Sequence, residues 1–174
     1  MKHLFTLLAL GSFAFASFDN INTFQADFMQ TLTDDKGKVL KYSGDLVATK
    51  EQNAIWHYKK PVTKTIYINR YKITIVEPEL EQVIIKRVEA PKNFNFLKLL
   101  KNAKKIDSHR YLAIYEEKSI YINVDKNNNI KSIQYKDEFD NGVEIVFSNQ
   151  KYNTQFDKNI FIPTFPLEYD IIQN

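Results

Sequence analysis

The chain has 174 residues, of which 44% are hydrophobic and 26% charged, and its formal net charge is +3. It contains no cysteine, which excludes a disulfide scaffold, a thiol nucleophile and a zinc–thiolate site. Its basic residues are spread along the sequence instead of forming one stripe, so the small positive charge gives no reason to expect nucleic-acid binding.

The N-terminus, residues 1–16, has the features of a secretory signal peptide. A basic start at Lys2 precedes an apolar run that is too short to span a bilayer, and Ala14 and Ala16 supply the small side chains that signal peptidase requires. Cleavage after Ala16 would leave Ser17 as the first residue of the exported protein. The sequence therefore predicts that the protein is exported across a membrane and that residues 1–16 are removed.

Residues 17–174 are expected to form one soluble domain with a core of its own. No second long apolar run follows the signal peptide, and no linker, internal repeat or change of composition divides the sequence. No cysteine stands at the cleavage point, so we expect the exported protein to carry no lipid anchor.

Most of the sequence after Thr23 alternates apolar and polar residues with a period of two, which is typical of β-strands. Turn residues such as those of Asp34–Gly37 and Asp140–Gly142 separate the alternating runs. The predicted strands cover residues 24–32, 40–48, 54–58, 64–68, 71–76, 80–86, 110–116, 119–124, 130–136 and 143–147, with residues 160–172 as a last edge strand. A sheet of about ten or eleven antiparallel strands must curl, so we expect a mainly β fold, an unclosed antiparallel β-barrel.

The segment 93–103 departs from this alternation. Phe96, Leu97 and Leu100 recur at helical spacing on one face, while the lysines of the segment recur three apart on another. We expect this helix to cover the open side of the barrel as a lid, with its apolar face over a cavity. A lid predicts that the Leu97→Glu variant unfolds almost normally but loses its ligand, whereas a core helix predicts gross destabilisation. Residues 18–23 are a second, shorter candidate helix.

The sequence offers little that could carry catalysis or hold a metal or a cofactor. His57 and His109 are the two histidines outside the signal peptide, and without cysteine they make a weak metal site. Asp107, Ser108 and His109 contain the residue types of a hydrolytic triad, but adjacent strand residues point to opposite faces and are not expected to converge. We therefore expect a protein that is not an enzyme and that binds no metal and no cofactor.

Aromatic residues make up 14% of the sequence, and many of them fall at alternating strand positions. They suit either an ordinary packed core or the lining of a cavity inside a barrel. Composition does not separate these two interpretations.

Four short motifs in the first half of the sequence follow one another in a specific order and spacing. They are Phe24–Gln30, which reads Phe-x-x-x-Phe-x-Gln; Gly37–Val39 followed by Gly44–Leu46; Trp56–Pro61, which reads Trp-x-Tyr-x-x-Pro; and Val76–Val83, which reads Val-Glu-Pro-Glu-Leu-Glu-Gln-Val. In this order they resemble the motifs of the LolA family of periplasmic outer-membrane lipoprotein carriers. The second half resembles the family in pattern only, with a mid-chain helix, further strands and Phe161–Pro163 near the end.

The resemblance implies a carrier that encloses acyl chains in an apolar cavity between an unclosed barrel and its helices. It implies three kinds of partner: acylated lipoproteins, an inner-membrane ABC transporter that releases them, and an outer-membrane receptor where one exists. The carrier is expected to be a monomer. The missing lipid-anchor cysteine favours the soluble carrier over the lipid-anchored receptor, whose fold is related.

The residues expected to line the cavity are apolar side chains of the strands and of the helix, namely Phe28, Leu46, Trp56, Ile66, Phe96, Leu97 and Leu100. Three positions depart from the family pattern. Lys50 stands where an arginine is thought to latch the lid, and a lysine makes a less directional latch. Ala54 and Thr74 replace larger apolar residues, Thr74 replacing a tryptophan.

Two other functions stay open at this level. The same half-barrel could serve as a periplasmic sensor or interaction module, which an additional membrane-bound or signalling domain would favour. It could also be a hydrolase with dispersed catalytic residues, which a pocket holding His57 or His109 beside a nucleophile would favour.

Overall fold

The computed structural model describes residues 18–88 and 95–173, and the signal peptide predicted at the N-terminus lies outside them. Within these two ranges, no helix combines the length and apolarity needed to cross a membrane.

Twelve strands and one α-helix make up the regular structure of the described residues. The strands are β1 (Thr23–Thr33), β2 (Val39–Thr49), β3 (Ala54–Lys60), β4 (Lys64–Ile68), β5 (Lys72–Glu77), β6 (Gln82–Arg87), β7 (Lys104–Lys105), β8 (Arg110–Tyr115), β9 (Lys118–Val124), β10 (Ile130–Lys136), β11 (Gly142–Tyr152) and β12 (Asp170–Gln173). The helix α1 spans Phe96–Lys101, and short 3-10 turns lie at Phe18–Asn20, Pro78–Leu80 and Lys158–Phe161.

The twelve strands form one sheet in the order β12-β6-β5-β4-β3-β2-β1-β11-β10-β9-β8-β7. Two meanders, β1 to β6 and β7 to β11, are joined where β11 pairs with β1. The end strands β12 and β7 do not pair with each other, so the barrel is unclosed. The predicted fold, an unclosed and mainly antiparallel sheet, is confirmed.

The sequence prediction is wrong about the C-terminal tail. Residues 160–172 are not one edge strand: only Asp170–Gln173 is a strand, and it pairs with β6 in parallel. Pro163 and Pro166 have no backbone N–H to donate to a neighbouring strand, which explains why the tail pairs only after them. The total of twelve instead of ten or eleven comes from β7, a two-residue strand that was not predicted.

The core lies on the inner face of the sheet, where alternate residues of both meanders converge. Phe24 packs against Phe147 of β11 and Phe96 of α1, with ring centroids 5.4 and 5.3 Å apart. Leu46, Ile122 and the other inner-face residues of the two meanders complete a single buried cluster.

The outer face also carries buried residues, at the wing formed by β2 to β6. These are Val47, Ile55, Thr74, Val76 and Val83. The chain between Tyr152 and Asp170 must pass β1 to β5 to reach β6, and it buries part of Phe156, Phe161 and Phe165 on the way. These partly buried rings lie in the segment that must pass the wing.

The helix α1 is shorter than the predicted range 93–103, of which residues 93 and 94 lie outside the described part. The Asn95 side chain caps it by accepting a hydrogen bond from the Lys98 backbone N–H at 2.9 Å. All four of its apolar residues, Phe96, Leu97, Leu99 and Leu100, are buried. In this structure α1 packs as part of the core, and its role as a lid stays a prediction. The second candidate helix is the 3-10 turn Phe18–Asn20.

Candidate functional site

A cavity of about 420 Å³ lies between β3 and β4 on one side and β8 to β11 on the other. Its deep wall is apolar and is formed by Trp56, Ile66, Ile68, Leu99, Ile120, Ile133 and Ile145. The volume falls within the range of about 300 to 1,000 Å³ that is usual for small-ligand sites. The period-two alternation of the strands turns these side chains inward, and Leu99 of α1 meets them there.

Three tyrosines, Tyr58, Tyr115 and Tyr135, give the cavity a polar but uncharged side. The Tyr58 hydroxyl donates a hydrogen bond to Gln30 Oε1 at 2.8 Å. Burial raises the pKa of Tyr58 well above its usual range, and it raises the pKa of Tyr115 and Tyr135 as well. The phenols are therefore neutral at any periplasmic pH, which suits an apolar ligand.

The cavity opens at one end of the sheet. Its exposed lining residues, Glu116, Lys136, Glu138 and Phe139, all belong to the β8–β9 and β10–β11 turns or to the strand ends beside them. Phe139 is 76% exposed at the mouth. An uncovered aromatic ring beside charged groups marks this mouth as a place where an apolar ligand can first make contact.

The turn that carries Phe139 is held rigidly by Asp137. This carboxylate accepts hydrogen bonds from the backbone N–H groups of Phe139 and Asn141, at 2.9 and 3.0 Å, and from Asn141 Nδ2 at 2.9 Å. Burial acts to raise the pKa of Asp137, but the bonds from Asn141 and Phe139 lower it below its usual value. The Phe139 ring is thus presented on a fixed turn.

An apolar row continues from the cavity across the inner face of the wing. Trp56, Ile66, Ile75, Ile84 and Ile172 are successive partners across β3, β4, β5, β6 and β12. Ile66, Ile75 and Ile84 are half-buried. With strands about 4.8 Å apart, the row spans about 19 Å. We call it the isoleucine row.

The structure brings only two of the seven predicted lining residues into the cavity wall, Trp56 and Ile66. Phe28 lies behind the wall, where its ring packs 5.2 Å from Trp56. The remaining four, Leu46, Phe96, Leu97 and Leu100, are buried in the core cluster. Alternation and helical spacing predict which residues turn inward, but not which of them leave empty space in front.

Sequence reasoning missed several residues of the site. Leu99 is the residue of α1 that lines the cavity. The sequence does indicate the isoleucine row, because Ile75 and Ile84 occupy the alternate positions of their strands that face inward. Tyr115 and Tyr135 occupy inward-facing positions of their strands in the same way.

The positions that depart from the family pattern lie away from the cavity. Lys50 is exposed at the β2–β3 turn, where its backbone N–H donates to the Asn22 carbonyl at 2.8 Å. Its side chain forms no ion pair within the described ranges, so its role as a latch stays a prediction. Ala54 belongs to the core cluster, and Thr74 is buried on the outer face.

The two histidines lie outside the cavity as well. His57 is on the outer face, with Nδ1 2.8 Å from Asp45 Oδ2. Ser108 Oγ and His109 Nδ1 are 2.7 Å apart in an exposed turn, so the expectation that adjacent side chains cannot meet is wrong here. The reason is that β8 begins only at Arg110, and turn residues do not alternate. Asp107 bonds to Arg110 Nε and not to the imidazole.

The sequence is similar to those of known carriers over most of its length. The family described as outer membrane lipoprotein carrier protein LolA matches residues 19–164. The chain is 38% identical over 154 residues to the outer-membrane lipoprotein carrier protein of Campylobacter jejuni, with 88% of each chain covered. It is 30% identical over 166 residues to the protein of the same name from Wolinella succinogenes, with 95% of each chain covered.

Solved structures share the fold at low sequence identity. A LolA superfamily protein from Nitrosomonas europaea is 11% identical, with a TM-score of 0.50 and coverage of 83% of this chain and 91% of that one. A conserved protein from Thermus thermophilus is 10% identical, with a TM-score of 0.55 and coverage of 89% and 92%. These likenesses support the fold, and the family match and the two relatives show that the chain belongs to the LolA family of outer membrane lipoprotein carrier proteins.

Proposed function

We propose that this protein is a periplasmic chaperone that accepts lipoproteins released from the inner membrane, shields their acyl chains and delivers them to the outer membrane. The observation that carries the proposal is the cavity of about 420 Å³, apolar in its depth and open at one end of the sheet. Burying one methylene away from water is favourable by about 0.8 kcal/mol. An apolar enclosure is therefore sufficient to bind an acyl chain of many methylenes.

The proposed role requires no bond to be made or broken. The cavity offers neutral tyrosines and aliphatic side chains, which bind by burial alone. The Ser108–His109 contact lies in an exposed turn away from it. We therefore propose a carrier without enzymatic activity.

The acyl chains have two places to lie. One chain fits into the cavity between Trp56 and Ile120, with its glyceryl end at the mouth beside Phe139. A further chain lies along the isoleucine row, whose length of about 19 Å suits an extended acyl chain.

In the fully loaded form α1 moves outward, so that Phe96, Leu97 and Leu100 contact acyl chains together with Phe28 and Leu46. Lys50 then stands at the β2–β3 turn as a weak latch.

The proposed donor and acceptor of the lipoprotein are inferred from the chemistry of its acyl chains. A lipoprotein in the inner membrane has its acyl chains in the bilayer, and their transfer to water is prohibitive without an energy source and an acceptor. We propose an inner-membrane ABC transporter as the donor and an outer-membrane receptor, where one exists, as the acceptor.

Trp56 is the only tryptophan, so its fluorescence tests the proposal directly. Because its ring lines the cavity, titration with a triacylated lipopeptide should replace water near the indole by methylenes and shift the emission to shorter wavelength. The same peptide without acyl chains is the control and should leave the spectrum unchanged. If another method demonstrates lipopeptide binding while the emission does not move, the acyl site is not this cavity.

A matched pair of variants locates the site further. Ile66→Glu places a carboxylate in the cavity wall and should weaken lipopeptide binding at least about tenfold. Met29→Glu places the same charge on the exposed outer face of β1 and should not change it. Equal affinities for the two variants would contradict the assignment.

Export is tested by the mass of the protein isolated from the periplasm. We expect the chain to begin at Ser17 and to carry no acyl group, because Ala14 and Ala16 direct cleavage after Ala16 and no cysteine is present. Intact-mass spectrometry of the periplasmic fraction measures both. A retained segment 1–16, or a mass increment of a lipid, would contradict the proposed localisation.

A further inference from the structure

Three neighbouring turns, two of the wing and one before β12, expose aliphatic side chains. Val62 is in the β3–β4 turn, Leu80 is in the β5–β6 turn, and Leu167 is in the turn that precedes β12. They are 42%, 64% and 98% exposed. Large aliphatic residues left uncovered at adjacent turns are typical of surfaces that bind another molecule. We call these three residues the wing rim.

Hydrogen bonds tie the three turns together. The Thr63 backbone N–H donates to Glu79 Oε1 at 3.2 Å, which joins the first turn to the second. The Asp170 backbone N–H donates to the Glu81 carbonyl at 2.9 Å, which joins the third turn to the second.

A proline lies just before each exposed aliphatic residue, at Pro61, Pro78 and Pro166, and fixes the backbone dihedral φ there. A surface held in this way loses little conformational freedom on binding.

The wing rim and the mouth of the cavity lie at the same end of the sheet. In a meander every second turn is at one end, and Thr33, at the end of β1, pairs with both Val39 and Gly142. The β3–β4, β5–β6 and β10–β11 turns therefore share that end with the cavity mouth at Phe139. A partner seated on the rim would stand beside the opening through which an acyl chain enters.

The charge around the wing rim is mainly acidic. Five carboxylates belong to these turns or to the strand ends beside them: Glu77, Glu79, Glu81, Glu168 and Asp170. Three lysines lie near these turns: Lys64 lies 4.7 Å from the Tyr58 ring, Lys59 is paired with Asp45, and Lys60 is exposed beside Pro61, so the carboxylates outnumber the lysines by five to three. A negatively charged rim repels an anionic membrane surface and attracts lysine and arginine side chains.

We propose that the wing rim is the docking surface for a protein partner that exchanges cargo with this carrier. The partner presents an apolar socket edged by basic side chains, into which Leu80 and Leu167 insert, and it delivers the acyl chain to the adjacent mouth. This inference rests on the proposed carrier function.

The test compares two double variants that each remove two exposed aliphatic residues. Leu80→Ser with Leu167→Ser alters the wing rim, and Met29→Ser with Ile114→Ser alters the outer face of β1 and β8, where both side chains are also more than half exposed. Lipopeptide binding, followed by Trp56 fluorescence, reports the carrier function alone. ATP-dependent release of a tagged lipoprotein from inner-membrane vesicles of the source bacterium reports docking as well.

We expect both variants to bind lipopeptide like the wild type, whereas release by the rim variant falls at least about tenfold and release by the outer-face variant does not. Glu168→Lys should lower release further, and the wild type should lose release as salt rises. Normal release by the rim variant would overturn the docking surface. Binding of the wild type to protein-free anionic vesicles, lost in the rim variant, would replace the protein partner by a membrane. Failure of the wild type to bind lipopeptide would instead refute the carrier function.

Discussion

Gly44→Ala is expected to lower the free energy of unfolding by about 3 kcal/mol or more, although it adds a single methyl group. A Cβ at this position would overlap the carbonyl oxygen of His57 on β3 and lie 2.9 Å from Cζ of Phe28. Because the obstacle is backbone, β2 and β3 must separate to make room, which disrupts their pairing beside the core. Urea denaturation followed by circular dichroism measures the loss.

Gly142→Ala is the matched control. The nearest atom to a Cβ there is the Thr33 carbonyl oxygen at 3.9 Å, an ordinary van der Waals contact. We expect this variant to unfold within about 0.5 kcal/mol of the wild type. Similar losses for the two glycines would mean that the sheet is not packed at Gly44 as described.

Leu97→Glu is the second large effect, and it measures how tightly α1 is held when no cargo is bound. Leu97 is 4% exposed, and the three other apolar residues of α1 are buried with it. A carboxylate in this position would lose its water without gaining a partner, so we expect the free energy of unfolding to fall by about 3 kcal/mol or more. This expectation differs from the one based on sequence alone, which treats α1 as a lid.

Lys98→Glu adds a carboxylate to the exposed side of the same helix and should leave unfolding nearly unchanged. If Leu97→Glu also unfolds normally but no longer retains lipopeptide, then α1 separates from the sheet at little cost even when no cargo is bound, as expected from sequence alone. Measurement of unfolding and lipopeptide retention in both variants distinguishes the two outcomes.

Most of the sheet was predictable from sequence because most of its strands alternate apolar and polar residues, even where part of the outer face is also buried. The hairpin of β4 and β5, with its turn at Asn69–Arg70, follows directly from two alternating runs and the polar residues between them. Val47 and Val83 were harder to interpret, because they are buried on the outer face, opposite to the core cluster. The alternation within a strand does not indicate whether another segment of the chain buries its second face.

The candidate site was less predictable than the fold for a related reason. Leu97 and Leu99 are both apolar, both helical and both buried, yet only Leu99 lines the cavity. The difference lies in whether the opposing residues fill the space, and that depends on side chains of β8 to β11, which are distant in the sequence. The isoleucine row could have been found, since its members share the inward phase of their strands.

The connection of the two meanders has a consequence for the order in which the protein assembles. β1 lies at the middle of the sheet, but its partner β11 is separated from it by most of the chain, and β6 obtains its neighbour β12 later still. Pairings of such high sequence separation form slowly. A polypeptide emerging N-terminus first from a translocation channel therefore holds an unpaired strand edge at β1 until β11 has crossed the membrane, and another at β6 until its last residues have crossed. A lipoprotein carrier thus passes through an aggregation-prone stage of its own before it can shield any cargo.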